Sequence, residues 1–472
     1  MITRLLVLSF CAVAAYAQSS ARFQHVVVIV QENRTPDNLF QGLCGPSGTA
    51  DRCSTSPTAF QYNIQTSNWL DDTSASGVTQ PSTVKLASKY DLNHYHVSFV
   101  NMCDVNPVTG ACRNDGAAGI SCTGTCPTQP QFRYVDNSTG ILNPYLDLAQ
   151  QYGWANYMFQ TNQGPSFPAH QFLFGGTSAP SAADDAIGTF AAENTVGASS
   201  SAGCAAPAGT TVALITAAGG EDQKDYPCFE HETMADILPS SVTWRYYAPN
   251  ASSIWTAPNA IAHICGSTGP GGSCAGQDWT DNVDLASADV LSDIANCKLR
   301  SVSWVIPTGA NSDHANANDG GGPSWVASIV NAIGSSSCEG NRGYWRDTAI
   351  LITWDDWGGW YDHEPPAILA QSQGDYQYGF RVPLVVVSAY TPAGYISNTH
   401  YDFGSILRFI EANFNLPLGE LNFADARTKT DLSEFFNPFS IPRRFQSISA
   451  PLDASFFLND PRAPTDPDDD DQ

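Results

Sequence analysis

Short runs of aliphatic and β-branched residues, bounded by turn formers, are the most regular feature of the chain. Val26–Val30, Val242–Tyr246, Val302–Ile306, Ala349–Thr353 and Val382–Val387 read as strands. They are largely continuous rather than alternating, which predicts burial on both faces of a mostly parallel sheet. Helical spacing predicts helices over Tyr145–Tyr152, stopped by Gly153, and over Trp325–Ile333. Ile406, Leu407, Phe409, Ile410 and Phe414 mark the apolar face of a third. Strands alternating with helices predict an α/β architecture. The stretches 42–126 and 178–228 are rich in Gly, Ala, Ser and Pro and read as long insertions rather than separate domains. No internal repeat is visible.

The two ends add processing signals. Arg4, the apolar run 5–15 and Ala15-Tyr16-Ala17 predict a cleaved secretory leader over 1–17. That run is too short to span a bilayer, and no later one is long enough, so no integral membrane segment is expected. Residues 18–460 would form one domain with its insertions. Residues 461–472, rich in Pro and Asp, would form a disordered acidic tail.

Cysteine usage agrees with export. Of 13 Cys, Cys11 lies in the leader, leaving an even set in loop-rich sequence. Only Cys122-Thr-Gly-Thr-Cys126 has zinc-like spacing, and no second pair follows, so the set reads as disulfides of open connectivity. Asn137-Ser-Thr and Asn250-Ala-Ser are candidate glycosylation sites. Asn33-Arg-Thr is a third sequon, expected to be buried and unmodified. The net charge of −25 excludes a basic nucleic-acid groove.

Candidate chemistry gathers where ligand sites form in open α/β sheets, beyond the carboxyl ends of strands. Val26–Val30 runs into Gln31-Glu32-Asn33-Arg34, and Ala349–Thr353 runs into Trp354-Asp355-Asp356-Trp357-Gly358-Gly359. One acidic residue after a strand is usually a cap or turn former. Two such groups make an oxygen-rich pocket whose carboxylates repel unless a hard cation lies between them. Gln163-Gly-Pro-Ser-Phe-Pro-Ala-His170 predicts a rigid turn presenting the Ser166 hydroxyl, which metal coordination could activate. His314 lies in a polar loop after Val302–Ile306, His363 just beyond the Asp pair, and His94 and His96 in Asp91-Leu-Asn-His-Tyr-His96. For each, a packed or surface imidazole is the plain alternative. His25, His263 and His400 carry only that reading, and His231 stays open.

These segments, in this order, resemble the phosphoesterase family of non-specific phospholipases C and related acid phosphatases. The match lies in Gln31-Glu-Asn-Arg-Thr-Pro-Asp-Asn38, Gly164-Pro-Ser-Phe-Pro-Ala-His170 and the Asp313-His314 loop. It continues in Thr353-Trp-Asp-Asp-Trp-Gly-Gly-Trp-Tyr-Asp-His-Glu-Pro-Pro366 and Phe380-Arg-Val-Pro-Leu-Val-Val-Val-Ser388. The resemblance implies an alkaline-phosphatase-like fold, a mostly parallel central sheet flanked by helices, here with disulfide-pinned insertions. It implies Ser166 as nucleophile and Glu32, Asn33, Ser166, Asp355 and Asp356 around one divalent metal ion of open identity. It further implies His314, and by a more divergent match His94, beside the phosphoryl group, with Asn33 also stabilising its oxygens. Two departures stand out. Asp356 replaces the usual Glu, one methylene shorter, and Ala169-His170 replaces an Asn-Arg pair, removing a cation that could bind phosphate.

The function expected is a secreted, metal-dependent phosphoric ester hydrolase of the phospholipase C type, working through a phosphoseryl intermediate on a phosphate-ester substrate. The alternative within enzymes is an acid phosphatase for small soluble monoesters. Trp354, Trp357 and Trp360 could line a path for a lipid or lie in the core, with the core favoured. A sulfatase is disfavoured because its Cys/Ser-x-Pro-x-Arg motif is missing. A non-catalytic secreted binding protein on the same fold is the reading from another class.

Overall fold

The structure is a computed structural model that describes residues 23–45, 52–197, 201–338, 343–366 and 378–465. The leader over 1–17 and residues 466–472 of the tail lie outside the described residues. Eight strands form the central sheet: β1 His25–Gln31, β2 Gly153–Met158, β3 Trp244–Tyr247, β4 Val283–Asp284, β5 Val302–Val305, β6 Thr348–Trp354, β7 Leu384–Val387 and β8 Tyr395–Tyr401. Their order is β4-β3-β5-β1-β6-β7-β2-β8. Only β7 runs against the rest, antiparallel to both β6 and β2. The expected mixed α/β architecture with a mostly parallel sheet is present.

The five expected strands are all here, because continuous Val and Ile runs can only be buried between layers. β1 and β6 are fully buried along their whole length. Trp354, Tyr145 and Phe40 pack edge-to-face or tilted beneath the site. The expected helices form as Asn143–Gln151 (α2), Gly322–Ser335 (α4) and Phe403–Phe414 (α5), the last started by an Asp402 capping box. Two further helices are His96–Cys103 (α1) and Ser166–Gly175 (α3). α2 packs on α4, and α3 packs on α5.

All twelve cysteines outside the leader pair: Cys44–Cys53, Cys103–Cys112, Cys122–Cys126, Cys204–Cys228, Cys265–Cys274 and Cys297–Cys338. Most are separated by 4 to 24 residues, so they staple individual loops rather than join distant layers. The 42–126 stretch carries its own apolar cluster, in which Trp69, Tyr90 and Phe99 meet Trp357, Trp360 and Phe380. Among the described residues no helix is long and apolar enough to cross a membrane.

Candidate active site

Parallel pairing places the acidic groups together. Gln31 of β1 is in register with Trp354 of β6, so the residues that follow emerge side by side. The Asp355 N–H donates to the Gln31 carbonyl at 2.9 Å, and the Asn33 N–H donates to Asp355 Oδ1 at 3.0 Å. Asn33 holds this turn at φ 60. Gly358 permits it, since a Cβ there would lie 2.4 Å from the Asn33 carbonyl oxygen.

Ser166 arrives from the loop after β2. The expected rigid turn ends at Pro165, and Ser166 opens α3, which is buried throughout. Pro168 does not break this helix because first-turn N–H groups have no intrahelical partner to lose. The Ser166 hydroxyl donates to Asp356 Oδ2 at 3.1 Å, and the Gly358 N–H donates to Asp356 Oδ1 at 2.7 Å. Burial first, then Asp355, raises the Asp356 carboxyl well above the usual range.

The long insertion contributes His94. Its Nδ1–H donates to the Leu92 carbonyl at 2.8 Å, so Nε2 accepts from Asn33 Nδ2 at 3.1 Å and lies 4.0 Å from Asp356 Oδ2. His314 stands at the border, its ring 6.1 Å from those of His94 and Trp255, with Nδ1 held by the Ala315 carbonyl at 2.7 Å. Beneath its loop, Asp313 Oδ2 accepts from the Tyr145 hydroxyl and Trp354 Nε1, while Arg34 holds the Asp313 carbonyl. Burial raises the Asp313 carboxyl to about 6 against the pull of Arg34.

One site residue was not anticipated. His170, read from sequence as a lost cation, is a buried imidazole inside the acidic group. The Tyr246 hydroxyl donates to the Trp255 carbonyl at 2.7 Å and receives the His170 Nδ1–H at 3.4 Å. Nε2 therefore presents a lone pair, 3.3 Å from Glu32 Oε1 and 3.8 Å from Asp355 Oδ2. Burial lowers the His170 pKa to about 4, against the pull of Asp355, so the ring is neutral. The signal was spacing: read as helix rather than turn, residue 170 shares a face with residue 166.

Ligand atoms of Glu32, His170 and Asp355 all lie within 4.8 Å of one another. Asp355 Oδ2, Asn33 Oδ1 and His170 Nε2 are buried and have no hydrogen-bond partner among the described residues. Buried acceptors left without a donor suit a cation, so these groups could hold a metal. Every residue singled out for the site thus comes from the carboxyl ends of like-directed strands or from the insertion that covers them.

The other candidates resolve differently. His363 donates from Nδ1 to Asp37 at 2.8 Å, in a group with Asp362 that the Arg381 guanidinium neutralises. His96 contacts Glu221 and Gln163. His231 and His263 line a separate cavity of about 960 Å³ near the far end of α3, apart from the predicted site residues. Trp354, Trp357 and Trp360 are wholly buried, as the core reading expected. Asn33 is buried too.

The phosphoesterase family model matches residues 23–417. The chain is 33% identical over 150 residues to a non-hemolytic phospholipase C of Burkholderia pseudomallei, covering 27% of this chain and 21% of that one. It is 24% identical over 439 residues to a hemolytic phospholipase C of Pseudomonas aeruginosa, covering 83% of this chain and 53% of that one. The chain thus spans from a fifth to about half the length of these two curated relatives. A Vibrio parahaemolyticus protein of the alkaline phosphatase superfamily superposes on 62% of this chain and 66% of its own, at 10% identity and a TM-score of 0.34. With the matched segment running from before β1 to beyond α5, the chain belongs to the phosphoesterase family.

Proposed function

We propose that the protein is a secreted, metal-dependent phosphoric ester hydrolase of the phospholipase C type in which Ser166 is the nucleophile. The observation that carries this reading is the Ser166 hydroxyl donating to Asp356 beside the Glu32–His170–Asp355 group. A divalent cation held by Glu32, Asn33, Asp355 and Asp356, with His170 as a further donor, would supply Lewis acidity and offset phosphoryl charge. The leader motif and the six disulfides support secretion.

The chain's own residues then define the steps. The Ser166 proton leaves along its hydrogen bond to Asp356 as Oγ bonds to phosphorus. The bond from phosphorus to the leaving oxygen breaks, and that oxygen takes a proton from His314, giving a phosphoseryl intermediate. His314 then takes a proton from the attacking water as its oxygen bonds to phosphorus, and when the bond from phosphorus to Oγ breaks Ser166 takes its proton back from Asp356. Asn33 Nδ2 donates to His94 Nε2 and so positions that ring beside Asp356.

Ser166→Ala should abolish hydrolysis while leaving the circular dichroism spectrum unchanged. Retained turnover in that variant would remove Ser166 from this role. An acid phosphatase for small monoesters is the second reading, and burial favours it: none of the three Trp residues offers an apolar wall to a diacylglycerol. Phosphatidylcholine vesicles and p-nitrophenyl phosphate, each assayed across pH with and without chelator, separate the two.

A further inference from the structure

We infer that Asn194 is a further catalytic residue, its amide Nδ2 donating a hydrogen bond to a non-bridging oxygen of the phosphoryl group on Ser166. This rests on the hydrolase reading above. Asn194 lies in the second insertion, yet its Oδ1 accepts from the Phe167 N–H at 3.0 Å. Phe167 directly follows Ser166 at the start of α3. N–H groups at a helix start point out beyond its first residue, toward the space a group joined to the Ser166 hydroxyl would fill. Asn194 takes up that backbone donor, which brings its own amide to the start of α3.

The amide's orientation is fixed, because only Oδ1 can accept from an N–H. Nδ2 is then left buried, with no hydrogen-bond partner among the described residues, on a residue only 6% exposed. A buried donor without an acceptor is costly, and a phosphoryl oxygen would satisfy it. The insertion is held close here: a Cβ on Gly164, two residues before the nucleophile, would lie 2.1 Å from the Ala192 carbonyl oxygen. The need for a donor is equally plain. Glu32, Asp355 and Asp356 bring carboxylates, and the pair Ala169-His170 brings no arginine to the phosphoryl oxygens. Asn194 supplies from the insertion what α3 lacks.

Asn194→Asp separates capping from donation, since it keeps an acceptor for Phe167 and loses the NH₂. The assay is hydrolysis of whichever of p-nitrophenyl phosphate and p-nitrophenylphosphorylcholine the wild-type protein turns over, at a temperature where each variant is folded by circular dichroism. kcat should fall on the order of 10²-fold, with vanadate inhibition weakened in parallel. Asn194→Ser, which offers a shorter donor, should retain more activity than Asn194→Asp. Asn194→Asp within twofold of wild type would overturn the inference. So would an unfolded Asn194→Asp beside a folded, fully active Asn194→Ser, for the side chain would then serve the fold. Wild-type protein that hydrolyses neither compound would instead refute the hydrolase reading itself.

Discussion

Two acidic groups are drawn from the segments that follow β1 and β6, and they are balanced in different ways. In one, Asp37, Asp362 and His363 gather around Arg381, whose guanidinium donates to both Asp362 oxygens at 2.8 and 2.9 Å. His363 in turn donates from Nδ1 to Asp37 and contacts Asn63 Oδ1 through Nε2. The group is closed: it binds the loop after β6 to the segment that leads into β7 and to the segment after β1. In the other, Glu32, His170 and Asp355 meet with a neutral imidazole in the guanidinium's place, and Asp355 Oδ2 is left without a donor. Similar donor atoms at similar burial therefore form a joint in one place and a candidate site in the other. The deciding feature is whether the chain supplies its own cation.

The largest break in this contrast is Arg381→Met. It strands buried Asp362 and Asp37 and should cost about 3–5 kcal/mol, read as a fall in the denaturant midpoint. The same carboxylate-to-amide change in each group sharpens the comparison. Asp362→Asn should destabilise by about 3 kcal/mol. Asp355→Asn in chelated protein should stay within about 0.5 kcal/mol of wild type or gain, because it removes an unanswered charge. Equal losses in the two variants would mean that the groups are not different in kind.

Metal addition comes next. At a hundred times its dissociation constant, a cation at the Asp355 group should stabilise chelated wild-type protein by about 2.7 kcal/mol, seen as a rise in melting temperature that Asp355→Asn abolishes. A similar rise in both proteins would place the ion elsewhere.

The smallest effect concerns a third arrangement, in which a proton is the cation. His263 sits between Asp236 and Glu230, and its hydrogen bond with Asp236, foremost, raises its pKa to about 9 from 6.5. The stabilisation is whole below pH 6.5 and is lost as pH rises through about 9. Replacing His263 with Gln should flatten that slope in a pH series of melting temperatures; an unchanged slope would assign it to other groups.

Strand content was legible where the sheet is buried on both sides and illegible at its edge. β1, β5, β6 and β7 announce themselves because burial between layers demands continuous apolar residues. β8, Tyr-Ile-Ser-Asn-Thr-His-Tyr, is an edge strand with partly exposed positions, and its polar residues hid it. β2 hid because its first residue, Gly153, read only as a helix stop. Among site residues, Glu32, Asn33, Asp355 and Asp356 could be found because they follow readable strands. His170 was missed because two prolines made its segment look like a turn, so its place on Ser166's helix face went unseen.

The sequence by itself determined the α/β class, the pool of paired cysteines and the segments that carry the chemistry, since these depend on local pattern and order along the chain. Tertiary structure alone decided which carboxylates meet a guanidinium and which meet a neutral imidazole. It also decided which cysteines pair and that Asn194 reaches the helix opened by Ser166. Those outcomes depend on strand register and on how insertions fold back over the sheet. Register and fold-back are set by packing between residues hundreds of positions apart, as with Asn33 and Asp355, which no local pattern encodes.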